Sequence, residues 1–170
     1  LTPDRVEAAQ QGCREAVLIG WHLLQNGGSA MDAVEAAVRA LEDDPTFNAG
    51  TGSCLNADGY VETDAGIMEG HTLQVGAVAG VERIKNPITL ARKVLASPHV
   101  LLVGRGAQEF ALENDMHLCK HRELITERQH NNWLKLREER LAQENGEEPR
   151  YHRIEIGKVG DQSEEKHGTV

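Results

Sequence analysis

Apolar positions along this chain follow two periodicities that change over between Leu41 and Gly52. From Arg5 to Asn26, the residues Val6, Ala9, Cys13, Val17, Gly20 and Leu24 recur every three or four positions, which predicts an amphipathic helix. Asn26-Gly27-Gly28 ends it with residues that tolerate left-handed backbone. Ser29 opens a second helix, with Asp32 three residues on as an acidic capping-box partner. Ala30, Ala33, Val34, Ala37, Val38 and Leu41 form its inner stripe, small enough for close packing. Two antiparallel helices on one face of a sheet are the simplest arrangement.

The change-over stretch reads Leu-Glu-Asp-Asp-Pro-Thr-Phe-Asn-Ala-Gly-Thr-Gly. Pro45 forbids helix continuation, because it lacks an N–H and its ring clashes with the preceding turn. Gly50 and Gly52 allow positive φ or a close backbone approach. Phe47 is one of two Phe in the chain and is expected to anchor the loop. An ordinary turn into a strand and a loop shaped to hold something both fit this stretch. A phosphate cradle does not, since Gly50-Thr51-Gly52-Ser53 lacks both the Lys-Ser/Thr of a P-loop and the third Gly of a dinucleotide fingerprint.

Beyond the loop the pattern shortens. Gly52–Asn56 and Tyr60–Ala65 flank Ala57-Asp58-Gly59 as a hairpin. Leu73–Val81 is a strand of small residues, whose Gly76 and Gly80 imply another layer or chain close against it. Asn86 caps a helix starting at Pro87, with Ile88, Leu90, Ala91, Val94 and Leu95 on its buried face and Ser97-Pro98 as its stop. His99–Val103 reads as a buried strand, and Gly104-Arg105-Gly106 turns into a short helix through Phe110 and Leu112. Thr126–Asn145 is helix-prone but charged nearly all round, with only Trp133, Leu134, Leu136 and Leu141 to bury. The chain thus divides into a body over 1–143 and a polar linker over 144–168, with 169–170 beyond it. The linker's composition predicts mobility and protease sensitivity between Glu144 and Lys166.

The 170 residues give room for one core, and a mean hydropathy of -0.47 indicates a soluble globular protein. No apolar run is long enough to span a bilayer, and no signal peptide is visible. A net charge of -9 argues against a nucleic-acid partner. The odd set Cys13, Cys54 and Cys119 fits a reducing cytoplasm. Neither Leu1 nor Val170 has the look of a natural terminus.

Three groups of residues are candidates for chemistry. His117, Cys119 and His121 alternate like metal ligands, but no matching second cluster follows, so they read as a solvated loop. Glu62 and Asp64 point to one face of a strand, as a carboxylate pair or, more simply, a charged outer face. The third is Gly168-Thr169. In an N-terminal nucleophile hydrolase a Thr hydroxyl attacks the preceding carbonyl, and Gly there offers little hindrance. Cleavage frees an α-amine whose unperturbed pKa of about 7.7–8 suits a general base. One residue becomes nucleophile and base together.

In order along the chain, Phe47-Asn48-Ala49-Gly50-Thr51-Gly52-Ser53, Leu55, Asp58-Gly59, Glu62 and Ile67-Met68-Glu69-Gly70 resemble plant-type L-asparaginases/isoaspartyl peptidases. So do Gly76–Ala79, Asn86-Pro87-Ile88-Thr89-Leu90-Ala91-Arg92, Ser97-Pro98-His99-Val100 and Gly168-Thr169-Val170. The resemblance weakens only between Asp115 and Lys166. It implies an α/β four-layer αββα sandwich of the N-terminal nucleophile hydrolase type, of which this chain supplies about half as the α-subunit. It also implies autoproteolysis between Gly168 and Thr169, a β-subunit from the same precursor that begins at Thr169, and an (αβ)2 assembly.

The implied reaction is hydrolysis of the side-chain amide of L-asparagine and of β-aspartyl dipeptides through a Thr169 acyl-enzyme, with no catalytic cofactor. Asn48 matches the family Asn beside the nucleophile. A structural Na+ is implied at the main-chain carbonyls of Leu41, Glu42, Asp44, Phe47, Ala49 and Thr51, which suits a hard cation. On that basis Asp44→Ala should change little. Gly66 stands where Ser is common in the family, a tolerated variation. The family's first strand and the β-subunit's substrate-binding residues lie outside this sequence, so the chain alone should be inactive. Glycosylasparaginase shares the fold but typically carries Asp before the Thr, and a non-catalytic ion-binding scaffold is the rival from another class.

Overall fold

The computed structural model describes residues 2–144. Thr169 and Gly168, and the linker from Asn145 onward, lie outside the described residues. Helix α1 (Pro3–Gln25) runs antiparallel to α2 (Ala30–Asp43) through the Asn26–Ser29 turn, where Gly27 has φ 81°. The predicted capping box is present: Ser29 Oγ accepts from the Asp32 N–H at 3.1 Å, and the Ser29 N–H donates to Asp32 Oδ2 at 3.0 Å.

The buried stripe of α1 differs from the one its large apolar residues predict. Gly12, Ala16 and Gly20 face inward, whereas Val6, Val17 and Leu24 are exposed. Close approach is the reason: a Cβ on Gly20 would lie 3.1 Å from the Ala33 carbonyl of α2, so small residues set the helix–helix spacing. On α2, Ala33 is buried as expected, but Val34 is half exposed and the second buried residue is Glu42.

Strands β1 (Thr63–Glu69), β2 (Gln74–Val81) and β3 (Leu101–Val103) form one mixed sheet, antiparallel between β1 and β2 and parallel between β2 and β3. The expected hairpin before β1 reduces to one bridge, Leu55 with Val61. Its turn is held by Asn56, whose Oδ1 accepts from the Asp58 and Tyr60 N–H groups, with Gly59 at φ 87°. The register slips between Thr63 and Ala65, and there Asp64 Oδ1 accepts from the Gly80 N–H at 2.7 Å. Gly80 has φ 57° and nothing near its Cβ position, so it serves this bulge and not a close layer. Gly76 does mark a close layer: a Cβ there would strike Ala91 O and Leu95 N of α3 (Pro87–Leu95).

That layer is the core. Ile88, Leu90, Ala91 and Val94 of α3 meet Ile67, Val78, Val81 and Ile84, and Ala107 and Ala111 of α4 (Gly104–Glu113) close it. Strand β3 is only three residues long, and Leu101 and Val103 are exposed, contrary to the buried strand its apolar run predicts. A short helix α5 (His121–Leu124) appears where no element is expected, and α6 (Glu127–Glu144) matches the charged helix. Leu134, Leu136 and Leu141 stay exposed on it; the inward residues are Gln129 and Trp133, whose ring covers Gly59. The described residues are thus a mixed α/β unit of helices on one three-stranded sheet. The second sheet and second helix layer of a four-layer sandwich are not formed by them.

Candidate functional site

The loop after α2 is built around main-chain oxygens. Asp44 ends the helix in extended conformation (φ -89°, ψ 116°), as a residue before Pro must. Gly50 turns back at φ 47°, where a Cβ would lie 2.5 Å from Glu42 O and 2.6 Å from Lys85 O. Gly52, at φ 96°, has Pro45 O and Phe47 O within 2.7 and 3.0 Å of the same point. The expected positive φ at Gly50 is therefore observed, and carbonyls crowd both glycines. The Thr51 N–H donates to Glu42 O at 2.8 Å, and the Phe47 N–H to Asp44 O at 3.2 Å. Phe47 anchors the loop by placing its ring edge against Gly12 of α1, where a Cβ would clash.

Two side chains work differently from expectation. Asp44 contributes more than a backbone oxygen, since its Oδ1 accepts from the Thr46 N–H at 2.8 Å. The N-terminus of α3 is capped from α2 and not by Asn86: Glu42 Oε1 accepts from the Ile88 N–H at 3.0 Å, while Asn86 donates to Asp43 Oδ1. Glu42 is 2% exposed, and burial pushes its carboxyl up to about 7. Among the described residues its Oε2 has no hydrogen-bond partner. Lys85 pairs with Asp43 at 2.8 Å across the same junction.

Beside this loop lies a cavity of about 260 Å³ whose lining includes Glu42, Asn48, Gly50, Ser53, Thr63 and Ile88. Asn48 is exposed at its rim, with Oδ1 accepting from the Cys54 N–H at 2.7 Å. The loop thus brings Asn48 together with Leu41, Glu42 and Ala49 around one concavity. Glu62 and Asp64 are both exposed at the cavity edge, as an outer face would be, although Asp64 is engaged with the bulge.

Residues on the far side of the loop carry no motif that names them. Arg128 donates from Nη2 to Pro45 O at 3.0 Å, and Gln129, 3% exposed, donates from Nε2 to Gly52 O at 2.8 Å. Their charged, helix-prone surroundings read as solvated, and nothing in the local sequence marks Gln129 as the buried one. Among the described residues no group of three His, Cys, Asp or Glu, the set His117, Cys119 and His121 included, is placed to hold a metal ion. The Cys119 N–H donates to Arg83 O at 2.9 Å, Arg83 Nε donates back to Cys119 O at 3.0 Å, and His121 sits 3.2 Å from Glu82. Cys13, Cys54 and Cys119 are all unpaired. No helix among the described residues is long and apolar enough to cross a membrane.

The family model described as Asparaginase matches residues 1–170, and the chain belongs to that family. It is 60% identical over 109 residues to the plant-type L-asparaginase of Thermococcus kodakarensis, covering 64% of this chain and 35% of that protein. It is 47% identical over 144 residues to the isoaspartyl peptidase/L-asparaginase of Bos taurus, covering 84% and 47%. The Homo sapiens protein of the same name gives the same identity and coverage. The chain thus spans between about a third and a half of the length of the curated relatives it matches.

Proposed function

We propose that this chain is the α-subunit part of an amidohydrolase that cleaves the side-chain amide of L-asparagine and the β-aspartyl bond of isoaspartyl dipeptides. Thr169 is its nucleophile, freed by autoproteolysis after Gly168, and Asn48 supports it. The partner is a β-subunit from the same precursor, the assembly is (αβ)2, and the location is cytoplasmic. The observation that carries the reading is Asn48: a loop with main-chain turns at two glycines sets its amide at the rim of a cavity, in a chain whose relatives are named for these two activities. Gly168 in place of Asp favours this branch over glycosylasparaginase.

A structural Na+ at the carbonyls of Leu41, Glu42, Asp44, Phe47, Ala49 and Thr51 is part of the same proposal; what supports it is that carbonyl oxygens turn inward at two separate points of the loop, Glu42 O at Gly50 and Phe47 O at Gly52. The oxygens of Glu42 and Asp44 each use one lone pair internally and keep a second. The ion would supply charge to fix loop shape and no chemistry.

The test is ammonia release from L-asparagine and cleavage of β-aspartyl dipeptides by the full-length precursor. Thr169→Ala should abolish both, and Asn48→Ala should lower kcat by about a hundredfold, the scale of a misplaced reacting group. No hydrolysis of either substrate by the wild type would overturn the reading.

A further inference from the structure

We infer that Gln129 is a positioning residue for Asn48, tying the first turn of α6 to the site through the main chain of the Gly52–Cys54 segment. The inference rests on the role proposed for Asn48. Gln129 is 3% exposed on a helix that is otherwise charged and largely solvated, so its burial needs a purpose. Its Nε2 donates to Gly52 O at 2.8 Å and reaches Cys54 Sγ at 3.5 Å. The Cys54 N–H in turn donates to Asn48 Oδ1 at 2.7 Å. One side chain thus grips the residues on either side of Ser53, and the second of them fixes which way the Asn48 amide points.

The grip is itself anchored. Gln129 is the third residue of α6, and its own N–H donates to Thr126 Oγ1 at 3.3 Å, as in a capped first turn. Asn132 Nδ2 lies 3.4 Å from Gln129 Oε1, which leaves Nε2 directed at the loop. Next to it, Arg128 donates to Pro45 O at 3.0 Å, and the Gly52 N–H donates to Leu124 O at 2.8 Å. The α5–α6 junction therefore meets the loop at Pro45, Gly52 and Cys54. A donor lost at Gln129 leaves a buried carbonyl unpaired and frees Cys54, and Asn48 moves with it.

The experiment uses the full-length precursor with Gln129→Met, which keeps the volume and removes the donors, and Gln129→Ala in case one variant fails to fold. Lys135→Ala, an exposed position on the same helix, is the control. Two readouts are taken: the kcat and KM for L-asparagine, and hydrogen exchange at the Cys54 N–H relative to the Ile88 N–H. The expected result is a fall in kcat of about tenfold to a hundredfold with KM within about threefold, and Cys54 exchange faster by at least about tenfold. A wild-type kcat with only a lower melting temperature would overturn the inference and leave Gln129 a structural residue. If the wild type hydrolyses nothing, the functional reading fails alone, and the Cys54 exchange decides the tether: unchanged protection in Gln129→Met overturns it.

Discussion

Around α3 the side chains decide the structure, whereas in the loop from Leu41 to Cys54 the main chain does. In α3, Ile88, Leu90, Ala91 and Val94 are all buried against the sheet, at the spacing an amphipathic helix requires. In the loop the close neighbours of Gly50 and Gly52 are carbonyl oxygens, and the turn survives because neither residue has a Cβ. The core tolerates change in proportion to volume; the loop tolerates almost any side chain that points out and none that points in. Such a loop can hold Asn48 at a cavity without a hydrophobic anchor of its own except Phe47.

The two regions meet at glycines, and substitution there separates them. Gly76→Val in the full-length protein should have the largest effect, a loss of more than about 3 kcal/mol in denaturant unfolding, because the new side chain meets helix backbone that cannot rotate away. Gly50→Val should cost about 3 kcal/mol, combining an unfavourable positive φ with two carbonyl clashes, and should lower activity along with stability. Equal effects on activity at matched stability would erase the distinction drawn between core and loop.

Charge joins α2 to α3 by a route the loop does not use. Arg92 reaches Glu35 and Asp32, both at 2.6 Å, and Thr89 Oγ1 donates to Glu35 at 2.7 Å. Arg92→Leu should destabilise by about 1–2 kcal/mol in the same unfolding assay, chiefly through the less exposed Glu35, because solvent screens the exposed Asp32 pair. Hydrogen bonds from Ser29 first, and then Arg92, hold the Asp32 carboxyl down at about 2 from 3.8. A folded pKa below the unfolded one gives stability that is present above about pH 3.8 and lost as pH falls toward 2. Acid unfolding of Arg92→Leu should show less of that loss. Smallest is Asp44→Ala, at about 1 kcal/mol, because its side chain bonds the Thr46 N–H as well as any role its carbonyl has; an unchanged unfolding midpoint would return Asp44 to a purely main-chain role.

The same division explains what could be read before the fold was known. Periodicity located α1, α2 and α3, helix-prone composition located α6, and Ser29 with Asp32 gave the start of α2, because local spacing, propensity and capping determine these. It placed Gly20 on the inner face of α1 but missed Gly12 and Ala16, since these are buried by proximity to a neighbour and not by hydrophobicity. The loop was legible as backbone punctuation at Pro45, Gly50 and Gly52. What escaped were contacts across distant sequence: Glu42 capping Ile88, and Arg128 and Gln129 gripping the loop. No local pattern encodes a partner some 46 or 77 residues away.

The proposed chemistry depends above all on Thr169 becoming a chain end. Intact mass with N-terminal sequencing of the full-length product tests it directly. Two chains, the second starting at Thr169, are expected from the wild type, and one uncut chain from Thr169→Ala. An alanine variant that still splits after Gly168, or a wild type that stays whole, would contradict it.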